Sequence, residues 1–165
     1  MEEFVSIPEE RMKILRADPR IIKKIQELTK AKIKLSDEII IESKDAILRH
    51  RLKEVFKAFG RGFDSETALT LLDEDYVLDL IEITEFAGKS VNRQKVLRGR
   101  IIGREGKTKK KIETVCDVKI SIHGKTVAII GKWKNVNLAR ESVEKLLSGS
   151  EHSSVYRFLE EQKIE

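Results

Sequence analysis

One cysteine, Cys116, stands in a chain of 165 residues. No internal disulfide can form, a buried structural thiol is the default for it, and a reducing cytoplasm is the natural compartment. Histidine is also scarce. His50, His123 and His152 fall in different segments, and with a single cysteine they offer no metal-ligand spacing, so neither a metal nor a cofactor is expected. No apolar stretch approaches the roughly 20 residues of a membrane span. The first residues are polar and acidic, unlike a signal peptide, and no membrane association is expected. Aromatic residues make up only 5% of the chain. The single tryptophan, Trp133, opens a helical pattern, where packing is expected rather than base stacking. No nucleophile–base–acid set is visible, so the chain is not expected to be an enzyme. Asp73-Glu74-Asp75 reads as a solvated acidic helix end rather than a magnesium site.

What the chain has in quantity is charge, 37% of residues with a net charge of +5. That charge is unevenly spread. Residues 1–62 carry +4, residues 63–87 carry eight acidic groups and no basic one, residues 88–149 carry +11 and residues 150–165 carry −2. A charge run alone is most often a solvated face. Here the basic region coincides with a glycine motif, and the two together favour a polyanion as partner.

The motif is Gly103-Arg104-Glu105-Gly106. Ile101 and Ile102 run into the first glycine, and a lysine-rich helical segment follows the second. Glycines remove the Cβ and let backbone approach a phosphate, and a helix N-terminus behind them presents amides and a positive dipole end. Gly106-Lys107-Thr108 looks like the end of a phosphate-binding P-loop, but that motif needs a glycine at position 101, which is isoleucine. A dinucleotide fingerprint fails too, because Gly99 lies four residues before Gly103 rather than two. The bland alternative is a helix–helix turn that needs glycine for geometry alone.

The flanks supply a pattern. Val77 to Ile83 reads as a largely buried strand. Ser90 caps a helix from Val91 to Ile102 with Val96, Leu97 and Ile101 inward. Thr108, Ile112 and Val115 recur at helical spacing. Val118, Ile120 and Ile122 alternate as a strand, His123-Gly124-Lys125 turns the chain, and Val127 to Ile130 returns. Val136 to Leu147 is an amphipathic helix ending near Gly149. The order is strand, helix, Gly-x-x-Gly, helix, strand, strand, helix. This is the type I arrangement of the K-homology (KH) domain, whose Gly-x-x-Gly loop clamps about four nucleotides of a single strand.

A slide of 87 residues exposes a second copy. Lys23-Lys24-Ile25 falls on Lys110-Lys111-Ile112, and Lys32-Ile33-Lys34-Leu35 falls on Lys119-Ile120-Ser121-Ile122. The Gly103-to-Gly106 loop falls on Arg16-Ala17-Asp18-Pro19, with no glycine and a carboxylate where a phosphate would go. The expected architecture is therefore α+β, two tandem type I KH domains. Residues 1–75 form a degenerate copy plus an acidic connector helix capped by Asp64 or Ser65. Residues 76–165 form the copy with the loop and a C-terminal helical tail.

Arg98-Gly-Arg-Ile-Ile-Gly-Arg-Glu-Gly-Lys-Thr-Lys-Lys-Lys-Ile-Glu113, Ala139-Arg-Glu-Ser-Val143 and Gly62-Phe-Asp before Ala68-Leu-Thr-Leu-Leu72 resemble one family over nearly the whole chain. It is the tandem-KH pre-ribosomal RNA-processing factor, the archaeal counterpart of the eukaryotic partner-of-Nob, or dimethylation-associated, protein. The resemblance implies a non-enzymatic small-subunit assembly factor. It implies binding of single-stranded pre-rRNA near the 3′ end of the small-subunit rRNA, and work beside an endonuclease that matures that end.

Carried onto this chain, the clamp is Gly103, Arg104, Glu105 and Gly106. Arg98, Arg100, Lys107, Lys110 and Lys111 are expected on phosphates. Ile101, Ile102, Lys119 and Ile120 are expected to line the base-holding groove. Glu105 departs from the more basic loops of many KH domains. Two rival readings are kept: a KH subunit of an RNA-degrading complex, which usually carries a further β-barrel, and a small P-loop-like phosphotransferase.

Overall fold

A computed structural model describes residues 1–162. The chain divides into two compact units, residues 1–74 and 75–165.

The first unit begins with a strand absent from the sequence-based reading, β1 (Glu2–Val5), followed by helices α1 (Glu9–Ala17) and α2 (Pro19–Thr29). Strands β2 (Lys32–Leu35) and β3 (Ile39–Glu42) lead into α3 (Ala46–Gly60), the short α4 (Ser65–Leu69) and a 3-10 turn over Thr70–Leu72. The sheet order is β1-β3-β2, antiparallel throughout. Period-2 alternation in β3 sends Ile39 and Ile41 inward, both fully buried with Met12, Leu15, Leu52 and Phe56. Arg11 ties α1 to α3. It donates to the carbonyls of Phe59 and Phe63, both at 2.8 Å, and its guanidinium lies 4.2 Å from the Phe59 ring centroid. Burial pulls its pKa below the usual arginine value. The acidic connector is ordered: Asp64 caps α4 by accepting from the Thr67 amide at 2.7 Å, and Arg51 donates to the Leu72 carbonyl at 3.0 Å.

In the second unit, β4 (Tyr76–Glu82) precedes a short α5 (Thr84–Ala87) and α6 (Val91–Ile102). The Ser90 hydroxyl caps α6 by accepting from the Arg93 amide at 3.2 Å. Buried Gln94 donates to the Gly88 carbonyl at 2.7 Å, which fixes the chain's entry into the helix. A 3-10 turn over Arg104–Gly106 separates α6 from α7 (Lys107–Cys116). Then come β5 (Lys119–His123), β6 (Thr126–Lys132), α8 (Trp133–Leu147) and α9 (His152–Gln162). The antiparallel sheet runs β4-β6-β5, with Gly124 at φ +59° in the tight β5–β6 turn. Ile81, Leu97, Ile112, Ile120, Ile129, Val143 and Leu146 meet in one core. Arg140 of α8 bonds Asp79 of β4 at 2.7 Å, and that carboxylate holds the guanidinium pKa above its usual value.

The expected C-terminal tail is part of this core, because Val155 and Leu159 of α9 are fully buried in it. Residues 163–165 of that tail lie outside the described residues. Two packing expectations are corrected. Trp133 is 62% exposed at the start of α8 and is not a packing residue, and Val96 faces outward at 61% exposure. On α6 the inward stripe passes through Gln94, Leu97 and Ile101 instead.

Candidate nucleic-acid interface

The loop between α6 and α7 is built by backbone conformation. Gly103 has φ +76°, Glu105 +56° and Gly106 +77°. Its two glycines do different work. A Cβ on Gly103 would stand 2.6 Å from the Thr108 Cβ and 2.7 Å from the Thr108 backbone nitrogen, whereas a Cβ on Gly106 would meet nothing within 4 Å. Gly103 is needed for packing and Gly106 leaves open backbone at the surface. Glu105 holds a left-handed conformation that costs a non-glycine residue roughly 1–2 kcal/mol, and its side chain is exposed.

Among the described residues no side chain caps α7 at Gly106. The comparable helix of the first unit is closed differently. Asp18 caps α2, accepting from the Arg20 amide at 3.1 Å and from the Arg20 guanidinium at 2.8 and 2.9 Å. The Arg20 hydrogen bonds hold the Asp18 carboxyl below the usual carboxylate range. Where α7 presents a dipole end, with its Gly106 and Lys107 amides turned to the Gly103 and Arg104 carbonyls, α2 carries its own anion, already paired.

The cations expected at the RNA, in clamp, phosphate contacts and groove, separate into groups. Arg104, Lys107, Lys110 and Lys119 are exposed, and each is without an ion-pair or hydrogen-bond partner among the described residues. Lys111 is bonded to Glu160 at 2.8 Å. Arg98 donates to the Gly124 carbonyl at 3.2 Å, reaching the β5–β6 turn. Arg100 is committed to structure: it donates to the Leu146 carbonyl at 3.0 Å and to the Ser150 carbonyl, holding the end of α8. This corrects the expectation that it reaches a phosphate. Ile101 and Ile120 are corrected as well. They are 0% and 4% exposed and belong to the core, so they set the shape of a groove without lining it. Ile102, 40% exposed, faces outward.

The strand edge is partly occupied. β5 is an edge strand, and its outward-facing Ile120 amide donates to Glu113 Oε2 at 2.9 Å. By alternation the next outward-facing backbone groups are those of Ile122, on the side of the sheet edge that α7 and the Arg98 side chain approach.

A second concavity was not legible in the sequence. It has a volume of about 580 Å³ and lies between α6, the loop, the start of α7 and α9, lined by Val96, Gly99, Gly103, Lys107, His152 and Tyr156 among others. His152 Nε2 lies 2.9 Å from the Arg100 carbonyl, and the Tyr156 hydroxyl lies 2.9 Å from Thr108 Oγ1. Sequence reasoning missed His152 and Tyr156 because it took this segment for a tail. The available signal was the i, i+4 spacing of His152 and Tyr156 beside an apolar stripe.

Residues 77–164 match a family described as the eukaryotic type KH-domain (KH-domain type I), in the form found as the second such domain of PNO1. A KH domain-containing protein of Methanocaldococcus jannaschii is 36% identical over 98% of this chain and 74% of its own length. The pre-rRNA-processing protein PNO1 of Chaetomium thermophilum is 30% identical over 94% of this chain, which spans only 63% of that protein's length. Among solved structures, a chain of the a/eIF2alpha–aDim2p–rRNA complex from Pyrococcus horikoshii OT3 superposes with a TM-score of 0.89 at 37% identity, over 99% of this chain and 94% of that one. With an α+β fold, a type I KH domain over residues 77–164 and a relative 36% identical over 98% of this chain, this chain belongs to the PNO1 family of KH-domain proteins.

Proposed function

We propose that this chain binds single-stranded RNA through its second unit and serves as a non-enzymatic factor in pre-rRNA processing and small-subunit assembly. The observation that carries the reading is the uncapped start of α7. It lies behind an open Gly106, and Arg104, Lys107 and Lys110 stand around it with no partner among the described residues. That arrangement suits a phosphodiester backbone. The names of the relatives and the rRNA in the structural neighbour's complex support ribosomal RNA as the target.

On this reading the strand passes over Gly103–Gly106 with its phosphates toward Arg104, Lys107 and Lys110. Its bases lie toward Ile102, Arg98 and the outward backbone of Ile122. The first unit is a second KH copy without its clamp, and its paired Asp18 makes it a packing or protein-binding module. The RNA is near the small-subunit rRNA 3′ end, the protein partner is the endonuclease that matures it, and the setting is the cytoplasm. These three points rest on the family resemblance. Titration with a short single-stranded RNA and with a duplex of the same sequence tests the binding mode, and duplex binding as tight as single-strand binding overturns it. Crosslinking in cells followed by RNA sequencing tests the target, and reads spread over messenger RNA decay substrates would favour an RNA-degrading complex instead.

A further inference from the structure

We propose that the cleft between α6, α7 and α9 is a second nucleotide subsite. It takes one nucleotide of the same RNA strand, beyond those held in the groove, after the strand has crossed the Gly103-to-Gly106 loop. The inference rests on the single-stranded RNA reading above and deepens it.

The cleft is separate from the groove. On an α-helix, residues two apart lie about 200° apart around the axis. Arg98 reaches the β5–β6 turn and Ile102, four residues on, shares its face, while Val96 and Gly103 line the cleft about 140–160° around the helix from Arg98, with Gly99 between the two faces. The loop and its cations are shared, since Arg104 and Lys107 belong to the cleft lining as well. A strand running over the loop therefore meets the cleft mouth without a change of phosphate ligands.

The chemistry inside suits a nucleotide. Among the described residues no acidic side chain lines the cleft. Its volume of about 580 Å³ falls within the span of small-ligand sites. Gly99 and Gly103 leave a flat floor. Tyr156 and His152 form the α9 wall, with ring centroids 6.4 Å apart and planes at 69°. Thr108 Oγ1 and the Tyr156 hydroxyl share one hydrogen, which leaves the other hydroxyl hydrogen to donate. The Arg100 carbonyl can only accept, so His152 Nε2 donates to it, and in the neutral ring Nδ1 is left as an acceptor. The wall thus offers both a donor and an acceptor, as a base edge or a 2′-hydroxyl requires.

Gly99 gives the test. It lies mid-helix, and a Cβ there would meet nothing within 4 Å. Gly99→Leu fills the cleft and raises helix propensity, and Gly99→Ala leaves most of the space. With the full chain at fixed salt, anisotropy is measured for a four-nucleotide single-stranded RNA and for the same strand extended by one to three nucleotides at either end. Extension at one end is expected to tighten binding at least about fivefold in the natural chain and in Gly99→Ala, the low end of what base stacking supplies. That gain is expected to vanish in Gly99→Leu, with four-nucleotide binding unchanged. An equal gain in Gly99→Leu, or no gain at either end, overturns the subsite and leaves the groove reading intact. Failure to bind the four-nucleotide strand at all overturns both. A 4-thiouridine at the extending position, photo-crosslinked to the natural chain, gives a check that needs no variant. Crosslinks to the α9 peptide support the subsite, and crosslinks confined to β5 overturn it.

Discussion

Glu113 accepts a hydrogen bond from the Ile120 amide at 2.9 Å, and 87 residues earlier Gln26 accepts one from the Ile33 amide, also at 2.9 Å. Lys30 and Asp117, at the same offset, both end their helices in the left-handed conformation, with φ of 65° and 55°. The two units thus share these backbone partners at the same 87-residue offset. The match also says what the glutamate does. Gln26 makes the bond without charge, so the charge on Glu113 is not required for the edge contact, and it places a carboxylate beside the proposed RNA groove.

Glu113→Gln should therefore keep the fold and, because Glu113 lies 3.4 Å from Lys109 Nζ, release that lysine's charge toward the RNA. RNA affinity at low salt is expected to rise on the order of twofold, as one charge at nearest-phosphate distances in water would give, and to return to the parent value at high salt. Glu113→Ala should instead lose about 1 kcal/mol of stability with the hydrogen bond. Anisotropy at two salt concentrations and thermal melts check both. An affinity that falls in Glu113→Gln would show that the carboxylate contacts RNA directly.

The two loop glycines should respond differently to one substitution. Gly106→Asp meets open space, and aspartate tolerates left-handed backbone at a cost of about 1 kcal/mol. Its melting temperature should fall by only about 4–8 °C, while the added charge at the phosphate contact lowers RNA affinity at least about tenfold, roughly 1.4 kcal/mol. Gly103→Asp collides with Thr108 and should destabilise the second unit itself. Circular dichroism melts beside RNA titrations separate the cases. Equal stability of the two variants would count against the Gly103–Thr108 packing described here.

Much of this could be read in the chain. Ser90 caps α6 where the serine before Val91 said it would, and β5, β6 and the Gly124 turn lie where alternation and glycine placed them. Several features needed three dimensions. An isoleucine beside a glycine loop looks the same whether it lines a groove or sits beneath it, and Ile101 and Ile120 sit beneath. Arginine in a basic run looks available, but Arg100 spends its donors on carbonyls about 46 and 50 residues away in sequence. The packing preference of large aromatics does not say which face the first residue of a helix presents, and Trp133 opens α8 at the surface between exposed Lys132 and Lys134. α9 was taken for a tail because its two buried residues, Val155 and Leu159, make too short a stripe to announce a core helix.

The Asp18–Arg20 pair predicts a pH effect confined to the first unit. The carboxyl is held below its usual range, chiefly by the Arg20 side-chain hydrogen bonds. Its pKa is lower folded than unfolded, so the stabilisation is complete above the unfolded value near 3.9 and is lost as pH falls through the folded value. Asp18→Ala should speed hydrogen exchange of the α2 amides at neutral pH, and the difference from the parent should shrink below about pH 4. RNA affinity should stay the same, because α2 carries no clamp. A gain in RNA binding would mean that the aspartate was masking a working anion site.

Cys116 offers a probe of the second unit. Burial alone pushes its thiol up to about 12. At pH 8 roughly one part in ten thousand is thiolate, and thiol reagents need the thiolate. Maleimide labelling of the folded chain should be slow and should track opening of the α7–β5 region, with bound single-stranded RNA slowing it further. Fast labelling that ignores RNA would mean that α7 opens independently of the interface.

The last prediction concerns which lysines carry the salt dependence. Each phosphate neutralised on a single strand contributes a log–log slope of roughly −0.7 by counterion release. Arg104, Lys107 and Lys110, exposed and without partners among the described residues, should together give about −2. Lys110→Ala should reduce the magnitude by about 0.7 and weaken every sequence alike. Lys111→Ala should change it less, because Lys111 is already neutralised by Glu160 at 2.8 Å. Glu160→Ala then becomes the informative variant: it releases Lys111, one turn along α7 from Lys107, and should steepen the slope toward that of four contacts. If Lys110→Ala and Lys111→Ala flatten the slope equally, the Glu160 pair breaks whenever RNA binds. The cationic face of α7 would then be wider than the free structure presents.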